Sequence, residues 1–315
     1  MTIANFFKYK KLRLLEFRNK VFTAIFYNKL TLYLFSKRYF KYKNKPSLKI
    51  GFLRLHNEEN TIIPCLMSVD YMFDKIILIY SEITDNSLNL VYDYIKKNNL
   101  QDKYIIKKYP NMVYPPHDKR YFSSVFNKFK IFNPYYLSSY YRFGFKICKK
   151  LAKGHNGFVA KIDADQIYLP DCFLEIEKMM EDDHYAYLVN SYGGFDGHIN
   201  GNEYKIDYSH GNTGRNGFYT DHIIIPFSLI NFTFYNMEIK NKPHKVAWER
   251  LQHPLLWLGL KKQANFPMWF HFDRKIPYKT ANLRNLTEEQ KNLYYKNIYP
   301  LLVKTNSPYK DLIIE

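Results

Sequence analysis

The sequence predicts an α/β protein built on a mostly parallel sheet flanked by helices. Between residues 49 and 163, short apolar segments of strand length alternate with segments that have helical periodicity. The apolar segments are nearly continuous, as in strands that are buried on both faces of a parallel sheet. Alternation of strand and helix over about a hundred residues predicts parallel strands joined by right-handed crossovers.

Four strands are predicted in this first half. They are Lys49–Leu55 (KIGFLRL), Lys75–Tyr80 (KIILIY), Lys103–Tyr109 (KYIIKKY) and Gly157–Ile162 (GFVAKI). The last of them ends at Asp163. Because the carboxyl ends of parallel strands share one edge of the sheet, residues that follow these strands are expected to lie near one another.

Helices are predicted between these strands. The segment TIIPCLMSV follows a polar HNEEN loop, and a helix tolerates its Pro64 only near the first turn. The next helix is capped by Thr84 and Asp85 and has apolar residues at helical spacing from Leu88 to Ile95. A third helix is predicted over Ser138–Leu151, after an irregular connection at 110–136.

The second half of the chain is less regular. Strands are predicted at Tyr185–Tyr192 and Phe218–Ile225, on either side of a Gly- and Asn-rich stretch from Gly193 to Gly217. That stretch is either an acceptor-binding loop or a long exposed hairpin. The expected organisation is an arm at 1–47, a core domain at 48–285 divided near 170/171, and a helical tail at 286–315.

The N-terminal arm carries much of the positive charge. Residues 1–46 hold twelve Lys or Arg and a single acid, Glu16, which is +11 of the net +18. Apolar residues from Leu14 to Phe26 recur between the basic ones near helical spacing. This pattern favours a helix that lies on an anionic membrane surface over a nucleic-acid partner, and the alternative is a basic helix packed on the domain.

Several classes of protein are disfavoured. The longest uncharged runs of the arm are far shorter than the ~20 residues that span a bilayer, and no small-residue cleavage site follows them. Three widely spaced cysteines argue against a disulfide framework and suit a reducing, cytoplasmic environment. No dinucleotide fingerprint, Walker A, zincin or nucleophile-elbow motif is present.

The motif KIDADQIYLP at 161–170 is the strongest chemical signal. Asp163 and Asp165 flank Ala164 where an apolar strand ends. Two carboxylates at such a place suit Mn²⁺ or Mg²⁺, which leave coordination positions for substrate phosphates. The alternative is a turn that Asp163 caps while Asp165 is solvated.

The chain resembles the GT-A glycosyltransferases in this motif, in FLRLHNEENTI at 52–62 and in ITDNS at 83–87. It is most similar to the bacterial beta-1,4-N-acetylgalactosaminyltransferases of lipooligosaccharide synthesis. The features shared with them are an R-x-x-N-E opening (Arg54, Asn57, Glu58), a Y-Y pair (Tyr140, Tyr141) and a late His-Phe pair (His271, Phe272). The resemblance covers roughly residues 49–275 and implies a Rossmann-like, mostly parallel GT-A sheet.

The resemblance also implies roles for individual residues. The expected nucleotide-sugar contacts are Arg54, Asn57, Glu58, Tyr80, Asp85, Lys161 and Asp163. The expected metal ligands are Asp163, Asp165 and His271, although His271 could equally be a buried core histidine. Many relatives have an acidic pair directly after the second strand, where this chain reads Tyr80-Ser81-Glu82, and stacking of Tyr80 on a pyrimidine is the expected substitute.

An inverting transfer needs a base that takes the proton of the acceptor hydroxyl. The candidates are Glu249 and Asp221, and Glu249 is favoured because it is expected to begin a helix whose dipole stabilises the ionised form. It also matches a glutamate of the similar family. The alternatives are a helix-stabilising carboxylate for Glu249 and a turn residue for Asp221.

Together these features predict a metal-dependent enzyme at the cytoplasmic face of the membrane. It would move a sugar from a UDP-sugar to a glycolipid or oligosaccharide acceptor, such as growing lipooligosaccharide. Two other hypotheses are a metal-dependent nucleotidyltransferase, which lacks its expected glycine-rich phosphate loop, and a basic nucleic-acid-binding protein, which lacks a recognition motif.

Overall fold

The computed structural model describes residues 45–115, 118–122, 133–182, 188–190, 193–200, 203–210, 223–240, 246–252, 261–264, 266–272, 280–282, 287–311 and 313–314. In much of the second half, including 188–190, 193–200, 203–210, 236–240 and 246–252, it describes only the backbone. Residues 1–44 of the predicted amphipathic arm lie outside the described residues.

Fifteen strands are present in the part of the chain that the structure describes. They are β1 (Ser47–Leu55), β2 (Lys75–Tyr80), β3 (Tyr104–Lys108), β4 (Asn156–Asp163), β5 (Gln166–Tyr168), β6 (Leu188–Asn190), β7 (Gly193–Asn200), β8 (Glu203–His210), β9 (Ile223–Pro226), β10 (Phe234–Lys240), β11 (Val246–Gln252), β12 (Lys261–Gln263), β13 (Trp269–His271), β14 (Thr280–Asn282) and β15 (Ile313–Ile314).

The described α-helices are α1 (Ile62–Val69), α2 (Ser87–Lys97), α3 (Leu137–Leu151), α4 (Cys172–Asp182), α5 (Glu288–Leu293) and α6 (Tyr299–Lys304). A π-helical segment, Tyr294–Ile298, joins α5 to α6. Among the described helices, none is both long and apolar enough to cross a membrane.

The main sheet has seven strands in the order β12-β6-β9-β4-β1-β2-β3. Strands β1 to β4 are mutually parallel, β9 is antiparallel to both of its neighbours, and β12 is parallel to β6. The predicted α/β class with a mostly parallel sheet is therefore confirmed. All four strands predicted in the first half are present within one or two residues of the expected bounds.

The main sheet is buried on both faces, and successive side chains of each strand enter the cores on its opposite sides. On one face, Leu53 and Leu78 pack in a core with α1 and α2. On the other face, Phe52 and Ile79 pack against α3. Burial on both faces accounts for the continuous apolar runs of β1 and β2 in the sequence.

A second sheet of six strands has the order β15-β14-β8-β7-β13-β5. Strands β7 and β8 form an antiparallel hairpin over 193–210, so this part of the Gly- and Asn-rich stretch has the hairpin conformation; residues 211–217 lie outside the described chain. Strands β10 and β11 form a separate two-stranded ribbon. The ribbon packs on α3, where Tyr235 contacts Tyr141 and Phe145.

The helix expected to begin at Glu249 is not present. Glu249 lies within β11, opposite Met237 of β10 in an antiparallel pair. Val246 and Trp248 are residue types that favour strands, and pairing with β10 satisfies the backbone. The argument that a helix dipole stabilises the Glu249 carboxylate is therefore wrong.

The C-terminal segment is helical from α5 to α6. Thr287 and Gln290 form a reciprocal capping box that starts α5. The end of the segment differs from the prediction, since β15 adds an edge strand parallel to β14. The apolar run that contains β15, Leu312–Ile314, is only three residues long, which is too short to indicate a strand in the sequence.

Gly144 lets α3 approach the main sheet closely. A Cβ at this position would overlap the Phe52 ring and come within 2.8 Å of Ile79 Cδ1. We expect Gly144→Ala to lower the free energy of unfolding by about 1–2 kcal/mol, because overpacking outweighs the gain in helix propensity. Urea denaturation measures this, with Lys146→Ala on the exposed face of α3 as the control. Equal stability of the two variants would contradict the close approach.

Candidate active site

The order of strands in the main sheet creates a topological switch point at the carboxyl ends of β1 and β4. From β1 the chain builds outward through β2 to β3, and it then returns to place β4 on the other side of β1. In open α/β sheets, ligands bind at such a switch point, beyond the carboxyl ends of the strands. Arg54 of β1 and Asp163 of β4 are paired in register at these ends. The two residues were predicted separately, and the topology brings them together.

Asp163 and Asp165 lie at the turn that joins the two sheets. Asp163 is the last residue of β4 in the main sheet, and β5 of the second sheet begins at Gln166. Only Ala164 and Asp165 lie between the two strands. The predicted acidic motif thus occupies a two-residue connection at the switch point.

His271 lies next to Asp165. Strand β13 pairs with β5 so that His271 is opposite Gln166, and the Phe272 amide donates to the Asp165 carbonyl at 3.0 Å. These backbone pairings bring His271 Nε2 to 3.4 Å from Asp165 Oδ2. The His271 side chain is 32% exposed and that of Asp165 is 14% exposed, so a ligand can reach both. The alternative of a fully buried core histidine does not apply.

Asp163 is paired with a buried lysine. Lys161 and Asp163 are two residues apart on β4 and so share a face of the sheet. Lys161 Nζ lies 3.3 Å from Asp163 Oδ2, and the two side chains are only 3% and 11% exposed. The Asp163 backbone N–H donates to the Tyr168 hydroxyl at 3.2 Å, and that hydroxyl donates to Gln166 Oε1. These contacts fix the position of Asp163.

Tyr141 of α3 lies over two of the cationic side chains. Arg54 Cζ is 5.7 Å from the centre of the Tyr141 ring, and Lys161 Nζ is 5.2 Å from it. The ring is fully buried and packs edge-on against Phe52. A desolvated aromatic ring attracts cations through its quadrupole, so Tyr141 stabilises both charges in place. The sequence pointed to Tyr141 only through the Y-Y pair and gave it no role.

Cys65 of α1 is surrounded by acidic groups of the site. Burial raises the pKa of its thiol. Three carboxylates raise that pKa further by their negative charge: Asp165, Asp163 and Glu58. The thiol also donates a weak hydrogen bond of 3.5 Å to the Asp163 carbonyl. Cys65 is therefore held as a neutral thiol, and the three predicted acids lie within electrostatic range of one place.

Asn57 and Asp85 join the loops that follow β1 and β2. The Asn57 side chain donates to Thr84 Oγ1 at 2.8 Å and accepts from the Thr84 amide at 2.9 Å. Asp85 accepts from the Glu59 amide with one oxygen and from the Ser87 amide with the other. The Asn57 backbone adopts a positive φ of 52°, which asparagine tolerates well. Both side chains therefore hold the two loops together.

Glu58 and Tyr80 are two further residues that the sequence predicts to contact the nucleotide-sugar. Glu58 is buried, and its amide donates to Ser87 Oγ at 2.6 Å. Its carbonyl accepts hydrogen bonds from the amides of Thr61 and Ile62, where α1 begins. Tyr80 ends β2 opposite Leu55 and is half-buried, so part of its surface faces solvent. Both residues lie at the same sheet edge as Arg54.

Two predicted residues cannot be placed relative to this site. Asp221 lies outside the described residues, and for Glu249 only the backbone is described. Within the described part of the chain, no three His, Cys, Asp or Glu side chains are grouped so that they could hold a metal ion by themselves. The gathered pair is Asp165 and His271, and Asp163 is engaged with Lys161.

Comparison with known proteins gives structural matches only. No family model matches the chain, and neither does any curated protein sequence. The chain is similar to crystal structures of glucosyl-3-phosphoglycerate synthase from Mycobacterium tuberculosis. The complex of that protein with Mn²⁺, UDP and glucosyl-3-phosphoglycerate is 13% identical, with 87% of this chain and 85% of that chain covered and a TM-score of 0.38. Its complex with Mn²⁺, UDP and phosphoglyceric acid is 12% identical, with coverages of 87% and 83% and a TM-score of 0.36.

Proposed function

We propose that the chain is a GT-A glycosyltransferase that uses a divalent metal ion and a UDP-sugar. The observation that carries this proposal is the position of the acidic motif. Asp163 and Asp165 lie at the carboxyl end of β4, at the switch point, with Arg54 beside one and His271 beside the other. Cationic side chains and a bound metal ion both stabilise a nucleoside diphosphate, and candidates for each role lie at this edge of the sheet.

Asp165 and His271 are suited to hold the metal. A carboxylate oxygen and an imidazole nitrogen 3.4 Å apart, both partly exposed, form a mixed oxygen and nitrogen donor set. Mg²⁺ prefers oxygen ligands alone, so of the two ions considered, Mn²⁺ and Mg²⁺, this set favours Mn²⁺. A bound ion would neutralise the charge that develops on the leaving diphosphate. Asp163 is the third proposed ligand, and its pairing with Lys161 makes it the weaker one.

The cationic side chains are proposed to bind the donor phosphates and orient the nucleotide. Arg54 is part-exposed at the end of β1, and Lys161 supplies a second fixed positive charge beneath the site. Glu58 and Tyr80 would contact the nucleoside, with Tyr80 stacked on the uracil ring. Asn57 and Asp85 would act by holding in place the loops after β1 and β2, which are the first and second donor loops.

The catalytic base of an inverting transfer is proposed to be Glu249, with Asp221 as the alternative. The base must accept the proton of the acceptor hydroxyl as that oxygen attacks the anomeric carbon. Support for Glu249 comes from its strand, because β11 belongs to the ribbon that packs on α3, the helix carrying Tyr141. Glu249→Gln should lower kcat strongly and leave donor KM nearly unchanged.

The acceptor is proposed to be a glycolipid or oligosaccharide, such as bacterial lipooligosaccharide, and the sugar GalNAc, GlcNAc, Gal or Glc. This narrower assignment is supported by the family resemblance and by the charge of the N-terminal arm. Residues 1–46 would hold the enzyme on the anionic inner face of the cell membrane. Binding to nucleic acid is not expected.

A thermal-shift panel tests the donor and metal assignments together. We expect Mn²⁺ with UDP, or with a UDP-sugar, to raise the melting temperature more than either ligand alone, because ligands that bind the folded state stabilise it by mass action. Nucleotides with other bases serve as controls. Transfer of radiolabelled sugar to the acceptor should then stop with EDTA and return with Mn²⁺. Activity that is insensitive to chelation would remove the metal from the proposal.

A further inference from the structure

The C-terminal segment 287–311 packs against two parts of the candidate site. Its buried anchors include Tyr294, Leu302, Ser307 and Tyr309. Ring pairs connect it to β13: the centroids of Phe270 and Tyr294 are 5.2 Å apart, and those of Phe272 and Tyr309 are 4.7 Å apart.

These ring pairs lie on one face of β13. Phe270 and Phe272 are two residues apart in extended chain, so both point away from the face that carries His271. His271 faces Asp165, while its two neighbours in the chain are packed against the C-terminal segment. The orientation of His271 therefore depends on how firmly those phenylalanines are held.

A separate contact joins the segment to the first donor loop. Ser307 Oγ donates to the Asn60 carbonyl at 2.7 Å. Asn60 immediately precedes Thr61, whose amide, like that of Ile62, donates to the Glu58 carbonyl. Helix α6 also packs on α1, which follows this loop. One segment thus contacts both the donor loop and the strand with the candidate metal ligand.

We propose that residues 287–311 act as a positioning element of the site. Tyr309 and Tyr294 hold β13 so that His271 faces Asp165, and Ser307 holds the loop that carries Asn57 and Glu58. None of these three residues contacts the reacting groups. The expected effect on Mn²⁺ affinity rests on the function proposed above. The expected effect on the backbone hydrogen bonds of β13 and of the loop after β1 does not.

Amide hydrogen exchange and Mn²⁺ titration of the full chain test the proposal. Tyr309→Leu removes the ring against Phe272 and keeps an apolar side chain. We expect faster exchange of the Phe272 amide, which bonds to Asp165, and an approximately tenfold loss of Mn²⁺ affinity, the lower end for residues that orient a ligand.

Ser307→Ala should speed exchange at Thr61 and Ile62 about fivefold and leave Mn²⁺ affinity unchanged. Val303→Ala, at an exposed side chain of the same segment, is the matched control and should do neither.

The outcomes of these experiments distinguish failure of the positioning role from failure of the proposed function. Unchanged exchange at Phe272 in Tyr309→Leu, or unchanged exchange at Thr61 and Ile62 in Ser307→Ala, would overturn the positioning role. Faster exchange at Phe272 without any loss of Mn²⁺ affinity would overturn it for His271. If wild type binds no Mn²⁺, the proposed function fails, and the exchange data still decide the mechanical role. If Tyr309→Leu unfolds the segment, Ser307→Ala decides, since it removes only a hydroxyl.

Discussion

Replacing Asp165 with asparagine is expected to reduce Mn²⁺ affinity by at least about 100-fold and to abolish sugar transfer. The Asp165 carboxylate is the anionic partner of His271, and it lies in the short turn between the two sheets, where its backbone is fixed by Phe272. An amide keeps the shape of the side chain but removes the charge that attracts a cation. Isothermal titration with Mn²⁺, alone and with UDP, measures the change.

Two variants control this experiment. Asp93→Asn changes an exposed aspartate of α2 and should leave Mn²⁺ affinity and transfer unaffected. His271→Gln should weaken Mn²⁺ binding, because it removes the nitrogen donor 3.4 Å from Asp165. Near-normal Mn²⁺ affinity and activity in Asp165→Asn would contradict the metal assignment and the proposed enzyme with it.

Breaking the pair between Lys161 and Asp163 is expected to have the largest effect on stability. Either Lys161→Met or Asp163→Asn removes one partner of this buried ion pair, which typically costs about 3–5 kcal/mol. The double variant removes both charges and should recover much of that loss. Urea denaturation of the two single variants, the double variant and wild type gives the coupling energy directly.

The exposed pair of Lys178 and Glu175 on α4 is a matched control. Its side chains are 68% and 49% exposed, so Lys178→Met and Glu175→Gln should each cost less than about 1 kcal/mol and show little coupling. If the Lys161 and Asp163 substitutions proved additive, with small individual effects, Asp163 would not be held by Lys161. It would then be available as a metal ligand, as the acidic motif first indicated.

The sequence predicts the first half of the fold well because that half is encoded locally. Strands buried on both faces, such as β2, give continuous apolar runs, and α2 shows its buried face at helical spacing. The parallel sheet follows from their alternation. The prediction of Asp163 at a strand end was also local, since the apolar run stops there.

Other features depend on contacts that a local pattern does not contain. Strands β5 and β13 are three residues long and exist through pairing with one another, which is what places His271 beside Asp165. Glu249 was assigned to a helix, but pairing of β11 with β10 decides its conformation. The pairing of Lys161 with Asp163 could have been read from their spacing of two on a strand, whereas the ring of Tyr141 above them could not.

The hydrogen bond between Ser307 and Asn60 joins residues that are 247 positions apart. During synthesis at ~5–20 residues per second, the loop after β1 would wait roughly 12 to 50 seconds for this partner. The nascent chain can form β1 to β4 during that time, because their contacts are complete much earlier. We therefore expect the loop after β1 to acquire its final geometry late, and nascent chains that stop before residue 307 to be open to proteases at this loop.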